Sequence, residues 1–172
     1  MPEAAVARSG LGFDVHRFAT GRELWLGGVR FEGEDGLIGH SDGDAVCHAV
    51  ADALLGAAAL GDLGEHFPDT DAAYEGISGA ELLSRVAKLL VDAGFAPSSC
   101  DVTVVCDRPA IAPRRGEMRA RLAGILSIGI DRISVKATRP EGLGLAGDPM
   151  NFKITTLLDL ARAEARMGGV HA

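Results

Sequence analysis

Positive charge is in short supply in this chain: 17 Lys and Arg stand against 24 Asp and Glu, for a formal net charge of -7 and a pI near 5.2. Nucleic acid and anionic membranes are both bound through clustered cations, so neither is expected as a partner. Cysteine is scarce too. Cys47, Cys100 and Cys106 are odd in number and have no C-x-x-C spacing, which argues against a disulfide framework and a thiolate zinc site and leaves reduced, buried thiols. Long hydrophobic runs are also missing. Met1 to Ser9 has no apolar segment of the signal-peptide kind, and the longest apolar run, Ala45 to Leu60, is broken by His48 and Asp52. The chain therefore reads as cytoplasmic. No internal repeat is present.

What remains is the balance of a soluble globular protein, with 47% apolar and 24% charged residues. A length of 172 residues suits one domain, 1–172, with the stretches 1–8 and 166–172 expected as disordered tails. Leu11 to Phe18 and Glu23 to Phe31 read as two strands of a bent hairpin, joined by a turn near Thr20-Gly21. Ser41 or Asp42 can cap a helix from about Asp44 to Leu60, ended by Gly61. The stretch Asp62 to Ile77, rich in Gly, Pro and Asp, is too long for a plain connector and is expected to be a partly disordered functional loop. Ser78 to Glu81 is a capping box. Leu82, Leu83, Val86, Leu89 and Leu90 then recur at helical spacing until Gly94. Cys100 to Cys106 reads as a buried strand, Pro113 starts a third helix, Arg132 to Thr138 is a strand, and the β-branched residues in Asn151 to Leu160 favour a last one. The order β-β-α-α-β-α-β plus a final strand is that of an α/β chain of the α+β type.

Chemistry is concentrated in the first half. Side chains alternate across a strand, so Asp14 and His16 point to one face and can converge on a common ligand. Two polar residues on an exposed face are an equally simple account, and a third partner is needed. His48 sits in an apolar helical run where an unpaired imidazole is costly; a bond to a backbone carbonyl or to Asp52 would also satisfy it. Gly39 to Asp44 gathers two carboxylates, a hydroxyl and an imidazole at a helix N-terminus, which attracts phosphate. An Asp-His-His set leaves one tetrahedral position open, as a catalytic zinc requires.

The runs Gly12-Phe13-Asp14-Val15-His16, His40-Ser41-Asp42-Gly43-Asp44 with His48, Asp52 to Gly64, and Phe67-Pro68-Asp69-Thr70-Asp71 together resemble the 2-C-methyl-D-erythritol 2,4-cyclodiphosphate synthase family. The likeness is in register through the first half. It is looser in the second, through Asp101 to Val105 and Lys136-Ala137-Thr138 followed by Glu141, Leu143 and Gly144. It implies a mixed sheet with helices on one face, and homotrimers whose sheets face the centre and whose active sites lie between subunits. It also implies ring closure within a cytidine diphosphate-linked substrate, with CMP as the leaving group. By the match Asp14, His16 and His48 hold Zn²⁺, and Glu141 holds a second divalent ion, Mg²⁺ or Mn²⁺. His40 and Arg139 fall at catalytic positions. Asp14, Val15, His16, His40 and Ser41 fall on the phosphate side of the substrate. Asp62, Leu63, Gly64, Phe67, Pro68, Asp69, Thr70 and Asp71 would line the sugar-alcohol pocket. Cys106, Asp107, Arg108, Pro109, Ala110, Ile111 and Ala112 would receive the cytidine, and Thr138, Arg139, Pro140 and Glu141 complete the set.

The sequence departs from the family in three places. Arg139-Pro140 stands where two threonines are usual, so a long guanidinium replaces a short hydroxyl. Leu145 and Asp148 replace the usual aromatic and arginine near the trimer axis, which weakens the case for a phosphorylated ligand in a central cavity. Ala110 replaces a frequent lysine at the nucleotide end. Two alternatives fit the same residues: a zinc-dependent phosphoesterase of another substrate, and a CDP-binding trimer that has lost catalysis.

Overall fold

The computed structural model describes residues 7–141 and the strands Lys153–Asp159 and Ala163–Ala165. In chain order the elements are β1 Leu11–Ala19, β2 Leu24–Leu26, β3 Val29–Phe31, β4 Gly36–Leu37, α1 Ala45–Ala58, α2 Leu63–His66, α3 Gly79–Asp92, β5 Phe95–Pro97, β6 Cys100–Val105, α4 Arg115–Leu126, β7 Ile133–Thr138, β8 Lys153–Asp159 and β9 Ala163–Ala165. Five strands form a mixed sheet in the order β4-β1-β8-β6-β7, with β6 and β7 parallel and the other pairs antiparallel. Helices α1 and α4 lie against one face of it, and α3 packs outside α1. Alternation explains the choice of face. Cys100, Val102 and Val104 of β6 and Ile133 and Val135 of β7 are buried beneath the helices, while Ser134 and Lys136 between them are exposed. On the other face Leu11 and Phe13 remain 62% and 55% exposed.

The tightest contact in the fold joins β1 to α1. A Cβ placed on Gly12 would lie 1.8 Å from the Ala49 carbonyl oxygen, and one on Gly10 would lie 2.0 Å from that of Ala53. Ala49, Ala53 and Ala57, spaced four apart on one helix stripe, present no bulk of their own. The helix backbone therefore rests directly on the strand, one residue from His48 and two from Asp14.

The segment Glu23 to Phe31 is not one strand paired to β1. Gly27 and Gly28, at φ +62° and +71°, form a two-residue turn of the kind that needs positive φ at both positions, and β2 and β3 pair with each other across it. The strand that pairs with the end of β1 is β4. Asp44 holds the hairpin to α1: wholly buried, its carboxylate accepts the N–H of Gly27 (2.8 Å), of Gly28 (2.6 Å) and of Cys47 (3.0 Å), the last as the N-cap of α1. Asp44→Asn keeps one acceptor oxygen and turns an NH₂ toward a backbone donor. It is expected to lower unfolding free energy by about 2–4 kcal/mol, read from the urea midpoint at unchanged slope.

Other boundaries shift for local reasons. Helix α1 ends at Ala59, which itself takes the left-handed cap conformation at φ +58°, two residues before Gly61. The segment Asp62 to Ile77 carries regular structure where disorder was expected: Asp62 caps α2, and Asp71 caps a short 3-10 turn at Ala72–Tyr74. Ser78 caps α3 by accepting from Glu81 N–H, but the Glu81 carboxylate pairs with Arg85 and does not close the box. The Arg8 guanidinium sits 4.8 Å from the Phe95 ring centroid. Residues 1–6, 166–172, Leu145 and Asp148 lie outside the described residues.

Candidate active site

Strand β1 and helix α1 bring Asp14, His16 and His48 together, with one ligand atom from each inside a 4.8 Å cluster. Asp14 Oδ2 is 2.8 Å from His16 Nε2 and 3.1 Å from His48 Nδ1. The far nitrogen of each ring is also engaged. His16 Nδ1 donates to the Ile38 carbonyl at 2.5 Å, and His48 Nε2 lies 3.1 Å from Ser41 Oγ. A proton held at those outer positions leaves His16 Nε2 and His48 Nδ1 as the ligating atoms, the outer support that metal-binding imidazoles commonly have. One carboxylate and two imidazoles within reach of one point fit a zinc ion with an open position. Among the described residues the His48 imidazole bonds neither to Asp52 nor to a backbone carbonyl; Asp52 accepts instead from Leu63 N–H at 2.8 Å.

The charges in the cluster are coupled. Burial pushes the Asp14 carboxyl up, but hydrogen bonds and charge from His16 and His48 together outweigh it and hold the carboxyl far below the usual range. Burial pushes the His16 imidazole down, and the hydrogen bond and charge of Asp14, with help from the Ile38 carbonyl and Asp44, raise it above its ordinary value. Asp42 is raised, first by burial and then by the charge of Asp44. For the metal-free fold, the signs follow from linkage. The His16 contribution is full below an unfolded value of 6.5 and is lost as pH rises through the raised folded value. Asp14 contributes above 3.8 and gives this up only in strong acid. A metal must displace the His16 proton. Zn²⁺ affinity is therefore expected to weaken by about tenfold per pH unit on the acid side of that raised value and to level off above it. Competition titration between about pH 5.5 and 8.5 checks this; a flat profile would remove His16 from the ligand set.

A cavity of about 140 Å³ opens beside the cluster, lined by His16, Gly39, His40, Ser41, His48, Leu63, Phe67, Asp69, Tyr74, Ile77 and Leu82. Ser41 is buried, and its Oγ accepts from Gly43 N–H at 3.0 Å. His40 is exposed, with its carbonyl accepting from Gly76 N–H. Of the other residues named for this side, Asp62 and Asp71 serve as caps, the Pro68 carbonyl accepts from Asp71 N–H, and Val15, Gly64 and Thr70 do not line the cavity. Tyr74 was not foreseen. It is the one tyrosine of the chain and meets Phe67 edge-on at 5.3 Å, an aromatic corner formed because Asp71 caps the turn that carries it.

A second cavity, of about 320 Å³, lies at the ends of β6 and β7 and shares no lining residue with the first. Cys106, Asp107, Pro109 to Ala112, Thr138 and Arg139 line it, joined by Arg115 and Ala137. Arg108 does not; its guanidinium turns back to Asp35 (3.2 Å), Glu34 (3.6 Å) and the Phe18 ring, tying this loop to the segment before β4. Pro140 is buried, and Glu141, at φ +50°, is exposed and stands outside the three-donor cluster. Burial, then the nearby Asp107 and Glu34 charges, push the Cys106 thiol up to about 11, and burial with Asp101 takes Cys100 to about 12, so these thiols are inert.

The chain matches the model of the YgbB family over residues 7–159. The bifunctional enzyme IspD/IspF of Anaeromyxobacter dehalogenans is 57% identical over 161 residues, covering 94% of this chain and 41% of that protein. The chain thus spans about two fifths of that relative's length. The 2-C-methyl-D-erythritol 2,4-cyclodiphosphate synthase of Salinibacter ruber is 54% identical over 140 residues, 81% of this chain and 89% of that one. A solved 2C-methyl-D-erythritol-2,4-cyclodiphosphate synthase in a CDP-bound form superposes with a TM-score of 0.79 at 33% identity, covering 89% of this chain and 99% of that one. With the Asp-His-His cluster in place and the likeness running through both halves, the chain belongs to the YgbB family, whose relatives here carry the cyclodiphosphate synthase name.

Proposed function

We propose that this chain converts 4-diphosphocytidyl-2-C-methyl-D-erythritol 2-phosphate into 2-C-methyl-D-erythritol 2,4-cyclodiphosphate. The 2-phosphate attacks the β-phosphate of the CDP group and CMP leaves, a step of non-mevalonate isoprenoid precursor synthesis. The observation that carries this reading is the cluster of Asp14, His16 and His48 at the mouth of a cavity walled by His40 and Ser41. Closing a ring between two phosphates needs no enzyme nucleophile; it needs the two groups held in line and their repulsion relieved. Bound at Asp14, His16 and His48, Zn²⁺ would supply Lewis-acid polarisation of a phosphate oxygen.

The chain's own residues have the remaining tasks. Ser41 Oγ takes the Gly43 N–H and faces His48 Nε2, so its hydroxyl proton is left to donate to a phosphate while the oxygen steadies the imidazole. His40, exposed at the cavity wall, orients the same phosphate. Leu63, Phe67 and Tyr74 exclude water on the polyol side. Arg139 neutralises charge on the transferring group from the second cavity. Glu141, an exposed carboxylate, suits Mg²⁺ or Mn²⁺, which keep several waters and take one or two protein carboxylates together with substrate phosphates.

A homotrimer completes the site in this reading. Two separate half-sites with no common lining residue suit closure between subunits, and the exposed Leu11 and Phe13 on the open sheet face give the subunits an apolar surface to bury. No helix among the described residues is long and apolar enough to cross a membrane, which suits a cytoplasmic enzyme. Phosphorus NMR of the protein with substrate, Zn²⁺ and Mg²⁺ tests the proposal. A cyclic diphosphate with CMP supports it, inorganic phosphate would point to a phosphoesterase, and substrate that is bound but unchanged to lost catalysis.

A further inference from the structure

Most arginines among the described residues are already committed. Arg30 pairs with Glu23, Arg85 with Glu81, Arg108 with Asp35, and Arg114 with both oxygens of Glu117 at 2.6 and 2.7 Å. Arg22, Arg119 and Arg132 donate to backbone carbonyls. Arg17, Arg115, Arg121 and Arg139 pair with no carboxylate or carbonyl among the described residues, and of these four Arg115 and Arg139 line the second cavity together. Arg114, next in sequence to Arg115, takes the one carboxylate nearby in that turn, so the local sequence satisfies one guanidinium and leaves the other.

Two guanidiniums in one pocket repel, and the single carboxylate there, Asp107, offsets one of them, leaving a formal +1 in a chain of net -7. An anion relieves that repulsion. Beside Thr138, the wall includes the apolar Pro109, Ala110, Ile111, Ala112 and Ala137, which offer a surface for a flat ring. A volume of about 320 Å³ is at the lower end of small-ligand pockets, which run from about 300 to 1,000 Å³. Two cations and an apolar surface in one cavity match the two chemistries of a nucleotide, phosphate and base.

We propose that Arg115 is a specificity-determining residue of this cavity: with Arg139 it clamps the phosphates of a nucleoside diphosphate, while the segment 106–112 receives the base. The inference deepens the proposed function and rests on it for the nucleotide, but the clamp itself rests on the two uncommitted guanidiniums of the cavity. Arg115 is exposed at the first residue of α4, so its replacement leaves the core intact.

Calorimetric titration of the full protein with CDP, cytidine and inorganic pyrophosphate separates the parts. Arg115→Ala is expected to weaken CDP by about tenfold or more, to leave cytidine within about twofold, and to leave the melting temperature unchanged. Arg115→Lys, which keeps the charge and loses the two-pronged geometry, falls between. CDP affinity that is unchanged in Arg115→Ala, or that falls in parallel with cytidine, overturns the clamp and leaves the synthase reading standing. Pyrophosphate binding that depends on Arg115 without any CDP or cytidine binding keeps the clamp and overturns the nucleotide. Binding of none of the three by the unaltered protein overturns both.

Discussion

His48→Ala is expected to remove the metal and with it the activity, while the fold survives. His48 contributes one of three donors, its side chain is 11% exposed, and it is the only one of the three carried by a helix. Alanine suits that helix as well as histidine does, so the loss falls on the site. Outer-shell changes at metal sites typically cost about 10- to 100-fold in affinity; removal of a direct ligand should exceed that, and turnover should fall at least about 100-fold. Asp14 Oδ2 is then left with His16 as its one partner from the cluster. His66→Ala is the control. His66 Nε2 donates to the Leu60 carbonyl 2.7 Å away, and the residue belongs to no donor cluster among the described residues, so metal content and turnover should hold. Zinc per chain by emission spectroscopy, with product formation by phosphorus NMR, reads both variants. Full zinc occupancy in His48→Ala would sink the three-donor site.

The candidate donors Asp14 and His16 were legible in the sequence for a simple reason: strand alternation alone puts them on one side. The third was less so. From spacing, His48 was as easily a core histidine bonded to Asp52 one turn on, and only the structure gives its Nδ1 to Asp14 and Asp52 to Leu63. The roles of the outer atoms, the Ile38 carbonyl and Ser41 Oγ, depend on where two separate loops come to rest, which no local pattern records. Arg108 was harder to place from sequence: a side chain that long can reach either way from the loop after β6, and its guanidinium sits by Glu34, Asp35 and Phe18. The apolar periodicity of α3 and the β-branched run of β6 gave their elements plainly. The Gly27-Gly28 turn was misread because β2 and β3 are only three residues each, too short for alternation to show, although the glycine pair was itself the turn signal.

The alanine stripe of α1 had a meaning that composition hid. Ala49, Ala53 and Ala57 looked like helix formers; they are also what lets the helix touch the strand. Gly10 and Gly12 complete that contact from the other side, and the pair reads as an ordinary glycine scatter until the two backbones are seen together. Close approach is therefore part of the site. It fixes the height of His48 above β1, and with it the 3.1 Å between His48 Nδ1 and Asp14 Oδ2.

Gly12→Ala should expose this dependence. The added methyl carbon would fall 1.8 Å from the Ala49 carbonyl oxygen and 2.7 Å from the Ala53 nitrogen, and both are backbone atoms that no rotamer change can move. Ordinary contact begins at 3.4 Å, so the helix must rise from the strand by more than about 1 Å or the strand must bend away. Overpacking in cores costs about 1–3 kcal/mol where side chains can give; here at least about 3 kcal/mol is expected, because only backbone can yield. The same substitution elsewhere in the helix has the opposite sign. Gly56, an exposed position of α1 with nothing within 4 Å of an added Cβ, should gain about 0.5–1 kcal/mol as alanine. Urea midpoints for the two variants, measured beside Zn²⁺ affinity, distinguish a general loss of stability from the specific one. If the contact sets the site, Gly12→Ala loses zinc affinity even at urea-free, fully folded conditions, because the helix that moves carries His48. Equal midpoints for Gly12→Ala and the unaltered chain would mean that β1 and α1 do not rest on each other, and the cluster would then need another support.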